Sequence, residues 1–117
     1  MGKYFTTDTI DNASNYASFC IPKALMKNPK YQHINPLSKL LYGILLDKLS
    51  LSVENNWINE LGRAYVLCPI SEIQACLNCG KDKATRLMNE LVKVGLIEKE
   101  RQKVGEPDAI YIKSWNN

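Results

Sequence analysis

Ile70-Ser-Glu-Ile-Gln-Ala-Cys-Leu77 opens the stretch of sequence that decides the fold, and Asn78-Cys-Gly80 and Lys81-Asp-Lys-Ala-Thr-Arg-Leu-Met-Asn-Glu-Leu-Val-Lys-Val94 follow it directly. The first segment is typical of a short amphipathic helix, and the second is typical of a tight turn. In the third, apolar residues recur at a helical spacing of three or four, and they are Ala84, Leu87, Met88, Leu91 and Val94. Gly95 comes next, where a left-handed glycine often ends a helix. The pattern predicts two helices joined by a turn, the second over residues 81–94.

Two β-rich segments complete this region. Leu96 to Arg101 and Ala109 to Lys113 are separated by a loop that contains Gly105 and Pro107. Helix, turn, helix and hairpin in this order are typical of the winged helix-turn-helix, a fold that often places its second helix in a DNA major groove. We therefore predict an α+β, mainly helical fold with a winged helix-turn-helix over residues 36–117, in which residues 99–109 form the wing.

The first half of the chain supplies the middle of the predicted core. Pro36 to Leu49 carries the strongest apolar stripe. The Asn35 side chain can cap this helix, and proline is well suited to its first position. A short helical turn is expected over residues 23–27. We predict that residues 1–35 form an N-terminal extension that packs on the domain or on a partner subunit.

An extra hairpin is predicted over residues 55–67, between the central helix and the helix pair. Gly62 can supply the positive φ that a tight turn requires. Trp57 and Tyr65 would then pair across the two strands. Residues 65–67 would join the sheet of the wing.

Size, composition and charge limit the classes of protein that fit. A chain of 117 residues forms one domain. It has no secretory signal and no apolar run of about 18 residues, so we expect no membrane span and a cytoplasmic protein. The net charge is only +3, but residues 80–103 alone carry seven basic and four acidic side chains. This local excess favours contact with phosphates, although a solvated helix face can have the same composition.

The cysteines and the single histidine give no strong sign of a metal or catalytic site. Cys76 and Cys79 have the spacing of two zinc ligands, but a second such pair is missing. Cys76 falls on the apolar side of its helix, so we expect a buried, reduced thiol and no metal. His33 lies between two prolines, where a surface loop is expected. We find no nucleophile–base pair or phosphate-binding glycine loop in the sequence, and we expect neither a cofactor nor an enzyme.

The candidate recognition surface is the polar face of the second helix, opposite its apolar stripe. The first turns of such a helix meet base edges in the major groove. Arg86 can contact guanine O6 and N7, and Asn89 can pair with adenine. Lys81 and Lys83 project from the start of the helix. Lys93 would reach the DNA backbone at most.

The wing carries a second basic group. Side chains alternate along a strand, so Lys99 and Arg101 would share one side while Glu98 and Glu100 take the other. Gln102 can reach a minor-groove edge from the wing. The full set of residues predicted to bind DNA is Lys81, Lys83, Thr85, Arg86, Asn89, Lys93, Lys99, Arg101, Gln102 and Lys103.

Several blocks of this sequence together resemble the N-terminal domain of the RepA_N plasmid replication initiators. These blocks are Phe19-Cys-Ile-Pro-Lys-Ala-Leu25, Lys39-Leu-Leu-Tyr-Gly-Ile-Leu-Leu-Asp-Lys-Leu-Ser-Leu-Ser52, Asn56-Trp-Ile-Asn-Glu-Leu-Gly-Arg-Ala-Tyr65, Leu77-Asn-Cys-Gly-Lys-Asp-Lys-Ala84, Gly95-Leu-Ile97, Arg101-Gln102 and Ile110-Tyr-Ile112. The resemblance covers residues 19–113 and is specific in order and spacing. Leu61 departs from it, because a polar residue is expected before the turn glycine, and this leucine is a candidate contact for a neighbouring molecule.

The resemblance implies a function that the residues alone do not give. Members of this family bind duplex DNA at repeated origin sequences, or iterons, and initiate replication of bacterial plasmids. A separate C-terminal domain recruits host replication proteins. We also expect a homodimer or higher homo-oligomer, with residues 1–21 and the Trp57 hairpin as candidate surfaces, because paired subunits bind repeats more tightly. The residues alone leave open a transcriptional regulator with the same fold and a winged helix that binds other proteins.

Overall fold

The computed structural model describes residues 21–52 and 54–114. Its elements are α1 (Ala24–Lys27), α2 (Pro36–Leu49), β1 (Val66–Leu67), α3 (Ile70–Leu77), α4 (Lys81–Lys93), β2 (Ile97–Glu100) and β3 (Ala109–Ile112). α2 and α3 have the predicted bounds, α1 begins one residue later than predicted, and α4 ends one residue earlier. The helix pair followed by a small antiparallel sheet confirms the predicted winged helix-turn-helix.

α2 is the central helix of the domain. It begins sharply because the Asn35 side chain accepts a hydrogen bond from the backbone N–H of Leu37 at 2.9 Å, with Pro36 at the first position. Leu41 and Leu45 on this helix are fully buried. α2 contacts α3, α4, β1 and β3, so the apolar stripe read from the sequence does form the middle of the core.

Left-handed residues end both helices of the helix-turn-helix. Asn78 after α3 has φ 51°, and the backbone N–H of Cys79 donates to the carbonyl of Gln74 at 3.2 Å. Gly95 after α4 has φ 84°, which confirms its predicted role, and the N–H of Leu96 donates back to α4. These two caps fix where the chain leaves each helix, and therefore how α4 and the wing sit beside each other.

The wing sheet has β3 in the middle, antiparallel to both β1 and β2. Ile110 of β3 lies opposite Val66 on one side and Lys99 on the other, whereas Tyr111 lies opposite Glu98. Opposed residues share a face of the sheet. Since Val66 and Ile110 belong to the core, Lys99 is on the face toward the helices, and Glu98 is on the opposite face.

The predicted extra hairpin is reduced to a turn with a single bridge, between Ile58 and Ala64. The cause is local. The side-chain oxygen of Asn59 accepts hydrogen bonds at 2.9 Å from the backbone N–H groups of both Leu61 and Arg63. An asparagine that bonds nearby backbone in this way competes with a strand ladder, so the two arms separate after one bridge.

The turn of this segment and its attachment to the sheet follow the prediction more closely. Gly62 has φ 78°, as a tight turn requires. The backbone N–H of Tyr65 donates to the carbonyl of Trp57 at 3.0 Å, so the two predicted partners are adjacent. The ring of Tyr65 packs on that of Tyr111 with 5.8 Å between the centroids. The segment therefore covers the face of the sheet turned away from the helices.

Cys76 corrects another expectation, because it is exposed, not buried. α3 buries Ile73 fully and half-buries Ile70 and Leu77. On an α-helix, Cys76 lies roughly 90° from the centre of that stripe, since successive residues turn by about 100°. Among the cysteines that the structure describes, the buried one is Cys68, which precedes α3.

The N-terminal extension divides into a described and an undescribed part. Leu25, Tyr31 and Ile34 are buried in the same core as the helix-turn-helix. The predicted role of residues 1–20 lies outside the described residues. Within 21–52 and 54–114, no helix is long and apolar enough to cross a membrane.

Candidate nucleic-acid interface

One face of α4 is free of the core and polar. Ala84, Leu87, Met88 and Leu91 are buried, as the sequence pattern predicts. The residues predicted to face outward are all exposed, and they are Asp82, Arg86, Asn89 and Lys93. Lys81 and Lys83 are exposed in the first turn, and Thr85 is half-buried at the edge of the core face. The helix thus presents mainly hydrogen-bonding and positive groups outward.

The N-terminus of α2 lies along one side of α4. The backbone N–H of Asn35, the cap residue of α2, donates to the Glu90 carboxylate at 2.8 Å. Lys83 and Arg86 line the same open cleft, whose volume is about 340 Å³. Glu90 therefore links the two helices, and the two basic side chains lie at the edge of that link. The sequence gives no sign of this contact, because no local pattern reveals a partner 55 positions away.

The wing lies along the other side of α4. The Lys99 ammonium donates to the side-chain oxygen of Asn89 at 3.3 Å. Arg101 and Lys103 follow β2 and are exposed. Since β2 ends at Glu100, the strand alternation that predicted a shared side for Lys99 and Arg101 does not extend to Arg101.

Gln102 occupies a different place from the other wing residues. Its side-chain amide donates to the carbonyl of Pro107 at 2.9 Å and so closes the wing loop. It lines a hollow with Tyr65, Glu100 and Tyr111, on the face of the sheet away from α4. The structure therefore gives this residue a part in shaping the wing and does not bring it together with the basic groups.

Charges on β2 separate by face, as the alternation predicts. Lys99 lies on the side of α4, whereas Glu98 and Glu100 line a hollow behind the sheet. Glu98 forms an ion pair with Lys113 at 2.9 Å, and this contact lowers the pKa of the carboxyl below its ordinary value. The acidic groups of the strand are thus turned away from α4.

An ion pair joins α3 to α2, and a buried thiol lies beside it. Lys48 and Glu72 approach to 2.7 Å. Burial raises the pKa of the neighbouring Cys68 thiol to about 12, and the Glu72 carboxylate adds to the effect. This thiol therefore stays protonated at neutral pH. Among residues 21–52 and 54–114, no group of three or more metal-binding side chains converges.

Comparison with known proteins identifies the family. The sequence model of "Replication initiator protein A (RepA) N-terminus" matches residues 17–117. The chain belongs to the RepA_N family. It is also 32% identical to a Lactobacillus helveticus protein described as "41 kDa protein", over 96% of this chain and 32% of that one. The chain therefore spans about a third of the length of this curated relative.

Solved structures share the fold of this RepA_N domain over nearly its whole length. One described as "N-Terminal domain of DNA binding protein" has a TM-score of 0.77 and 28% identity, covering 97% of this chain and 85% of that one. "Structure of MDR initiator" has a TM-score of 0.75 and 30% identity, covering 96% and 86%. "Structure of Rep-DNA complex" has a TM-score of 0.76 and 28% identity, covering 96% and 84%.

Proposed function

We propose that this RepA_N domain binds duplex DNA at repeated sites of a plasmid origin and so takes part in initiating replication. The observation that carries the proposal is the exposed polar face of α4, with basic side chains in its first two turns and the wing on one side. A helix that enters the major groove needs this arrangement. The similarity to a structure described as a Rep-DNA complex supports it.

The residues take separate roles in this proposal. Arg86 reads a guanine, because its guanidinium can fork onto O6 and N7. Lys81 and Lys83 contact phosphates or a guanine at the helix start. Lys93, two turns further along the helix, contacts the DNA backbone at most, and Thr85 lies on the flank of the reading face.

The wing contributes mainly electrostatic contacts. Arg101 and Lys103 are exposed and free to meet phosphates, which position a protein on DNA without reading sequence. Gln102 acts indirectly by closing the wing loop through Pro107. The proposed interface therefore reads bases through α4 and holds the backbone through the wing.

We further propose how the domain works within its longer protein. It acts by binding, not by catalysis, in the bacterial cytoplasm. Copies pair on adjacent repeats as a homodimer or higher homo-oligomer, with residues 1–21 and the Trp57 turn as candidate surfaces. Host replication proteins bind a separate C-terminal domain. A relative about three times as long supports the existence of further domains.

A protein-interaction module is the main alternative of a different class. It would need an apolar patch on the outward side of α4. Val92, at 37% exposure, is the exposed large apolar side chain of that helix, and a single residue does not make a patch. The composition of the face therefore favours DNA.

The test is an alanine variant of the proposed base-reading arginine. Arg86→Ala should weaken binding to the cognate repeat by about 1–3 kcal/mol and relax the preference at one base pair. Arg63→Ala removes the same charge from the turn behind the sheet and serves as the matched control on a duplex with a single repeat, where pairing of copies plays no part. Fluorescence anisotropy with cognate and singly substituted duplexes measures both. Unchanged cognate affinity of the Arg86 variant would show that the reading face is wrongly assigned.

A further inference from the structure

Lys99 differs from the other basic residues of the wing in the direction of its side chain. Lys99 is on β2, opposite Ile110 of β3, and it lies on the face of the sheet that packs toward the helices. It lines a cavity of about 490 Å³ whose walls include Cys68 and Met88. Lysine commonly lays its aliphatic stem along such an apolar wall and keeps its charge at the edge. The ammonium is therefore directed to α4, away from the outer edge of the wing.

The Lys99 ammonium forms a hydrogen bond with the side chain of Asn89 on α4. Its distance to Oδ1 of Asn89 is 3.3 Å. An ammonium has three donors and no acceptor, so only the oxygen end of the amide can face it. Since the oxygen end is engaged by the wing, the Nδ2 end of the amide is the end left for a ligand on the outward side of α4.

We propose that Lys99 is a positioning residue for sequence reading: it holds the Asn89 amide with its donors toward the groove. This inference rests on the proposed function. Asparagine reads adenine by using both ends of its amide together, the oxygen toward N6 and the nitrogen toward N7. The oxygen has a second lone pair, but with Oδ1 turned to the wing the donors are the part of the amide that faces the groove. Asn89 therefore reads a base edge that presents acceptors, such as guanine O6 and N7 or thymine O4.

The contact gains strength when DNA is bound. Both side chains are exposed in the free protein, where one hydrogen bond to water replaces another and the net gain is small. In a groove from which water is displaced, a charge-assisted bond is stronger. The orientation of Asn89 thus becomes most strictly defined in the complex, where it determines the base preference.

The experiment compares three wing variants with the wild-type protein. A randomised-duplex selection first defines the preferred site, and fluorescence anisotropy then measures binding to duplexes with each single base-pair change. Lys99→Met removes the ammonium and keeps the stem. It should shift the preference at one base pair toward adenine by at least about fivefold, the lower end of what a bidentate base contact contributes. Lys99→Arg keeps a donor toward Oδ1 and should retain the wild-type preference.

Arg101→Met is the matched control for loss of charge from the wing. It should weaken all duplexes alike and lower the slope of log affinity against log salt by about 0.9, as loss of one phosphate contact does. Lys99→Met should leave that slope unchanged. A Lys99→Met protein that behaves like Arg101→Met, with uniform weakening and an unaltered preference, would overturn the inference while leaving DNA binding intact. Absence of duplex binding by the wild-type protein would instead overturn the proposed function.

Discussion

The hydroxyl group of Tyr42 gives a sharp test of how the domain is held together. Tyr42 is fully buried in the middle of α2, and its hydroxyl donates to the backbone carbonyl of Lys113 at 2.6 Å. This bond joins the central helix to the chain just after β3, and so to the wing sheet. Tyr42→Phe keeps the ring and removes the bond. We expect a loss of about 0.5–1.5 kcal/mol in the free energy of unfolding, which corresponds to roughly 4 °C in Tm for a domain of this size.

Tyr42 also makes the free energy of unfolding depend on pH in the alkaline range. Burial, with a smaller effect from Tyr31, raises the pKa of Tyr42 from 10.0 to about 12. The folded protein therefore keeps this proton at pH values where the unfolded chain has released it. The stabilisation is complete below pH 10 and is lost as the pH rises from 10 to about 12. This alkaline loss comes from the cost of ionising a buried phenol and is separate from the loss of the hydrogen bond at neutral pH.

Urea unfolding followed by circular dichroism over this pH range measures the effect. The wild-type protein should lose stability more steeply with pH than Tyr42→Phe. The buried Cys68 thiol, with a pKa raised from 9.0 to about 12, adds the same kind of loss to both proteins and is best removed with Cys68→Ala in each. Tyr65→Phe, at a half-buried ring, is the matched control. If Tyr42→Phe and the parent lose equal stability between pH 10 and 12, the assigned burial of the Tyr42 hydroxyl is wrong.

Further substitutions test the core, the cap and the wing. Leu91→Ala at a fully buried position of α4 should cost about 2–5 kcal/mol in thermal unfolding, because it opens a cavity in the core; a cost below 1 kcal/mol would mean that α4 is not packed as described. Asn35→Ala should cost about 1 kcal/mol through loss of the α2 cap, whereas Asn35→Asp keeps the acceptor and should cost less. Lys103→Ala should weaken binding to every duplex to a similar extent in anisotropy, and a change of base preference would contradict its assignment to phosphate.

Sequence patterns predict the ends and faces of the helices well where the residues responsible are neighbours in the chain. Asn35 and Pro36 fix the start of α2, because the cap acceptor and the proline are adjacent in the chain. Gly95 marks the end of α4, because a positive φ there favours glycine. The outward face of α4 also follows from spacing alone, since one apolar stripe is enough to orient the helix.

Features that depend on distant or competing partners are not predictable in the same way. Asn59 bonds its own turn and shortens the hairpin, although the flanking residues have strand character. Cys76 was expected on the apolar side of α3, yet this helix of eight residues buries only the narrow stripe around Ile73. Glu90 and Lys99 acquire their partners only when α2 and the wing pack against α4. The exposed polar face of α4 was therefore predictable, but the contacts around it were not.

The salt dependence of binding tests the central claim most directly. Phosphate contacts release counterions, so log affinity falls with log salt by about 0.9 for each phosphate that the protein neutralises. With Lys81, Lys83, Arg101 and Lys103 at the proposed interface, we predict a slope steeper than about −3 on a duplex that carries the origin repeats. Anisotropy titrations over a series of salt concentrations, with a scrambled duplex of equal length, give this slope and the specificity together. Salt-independent affinity, or equal affinity for both duplexes at all salt concentrations, would contradict sequence-specific DNA binding through this surface.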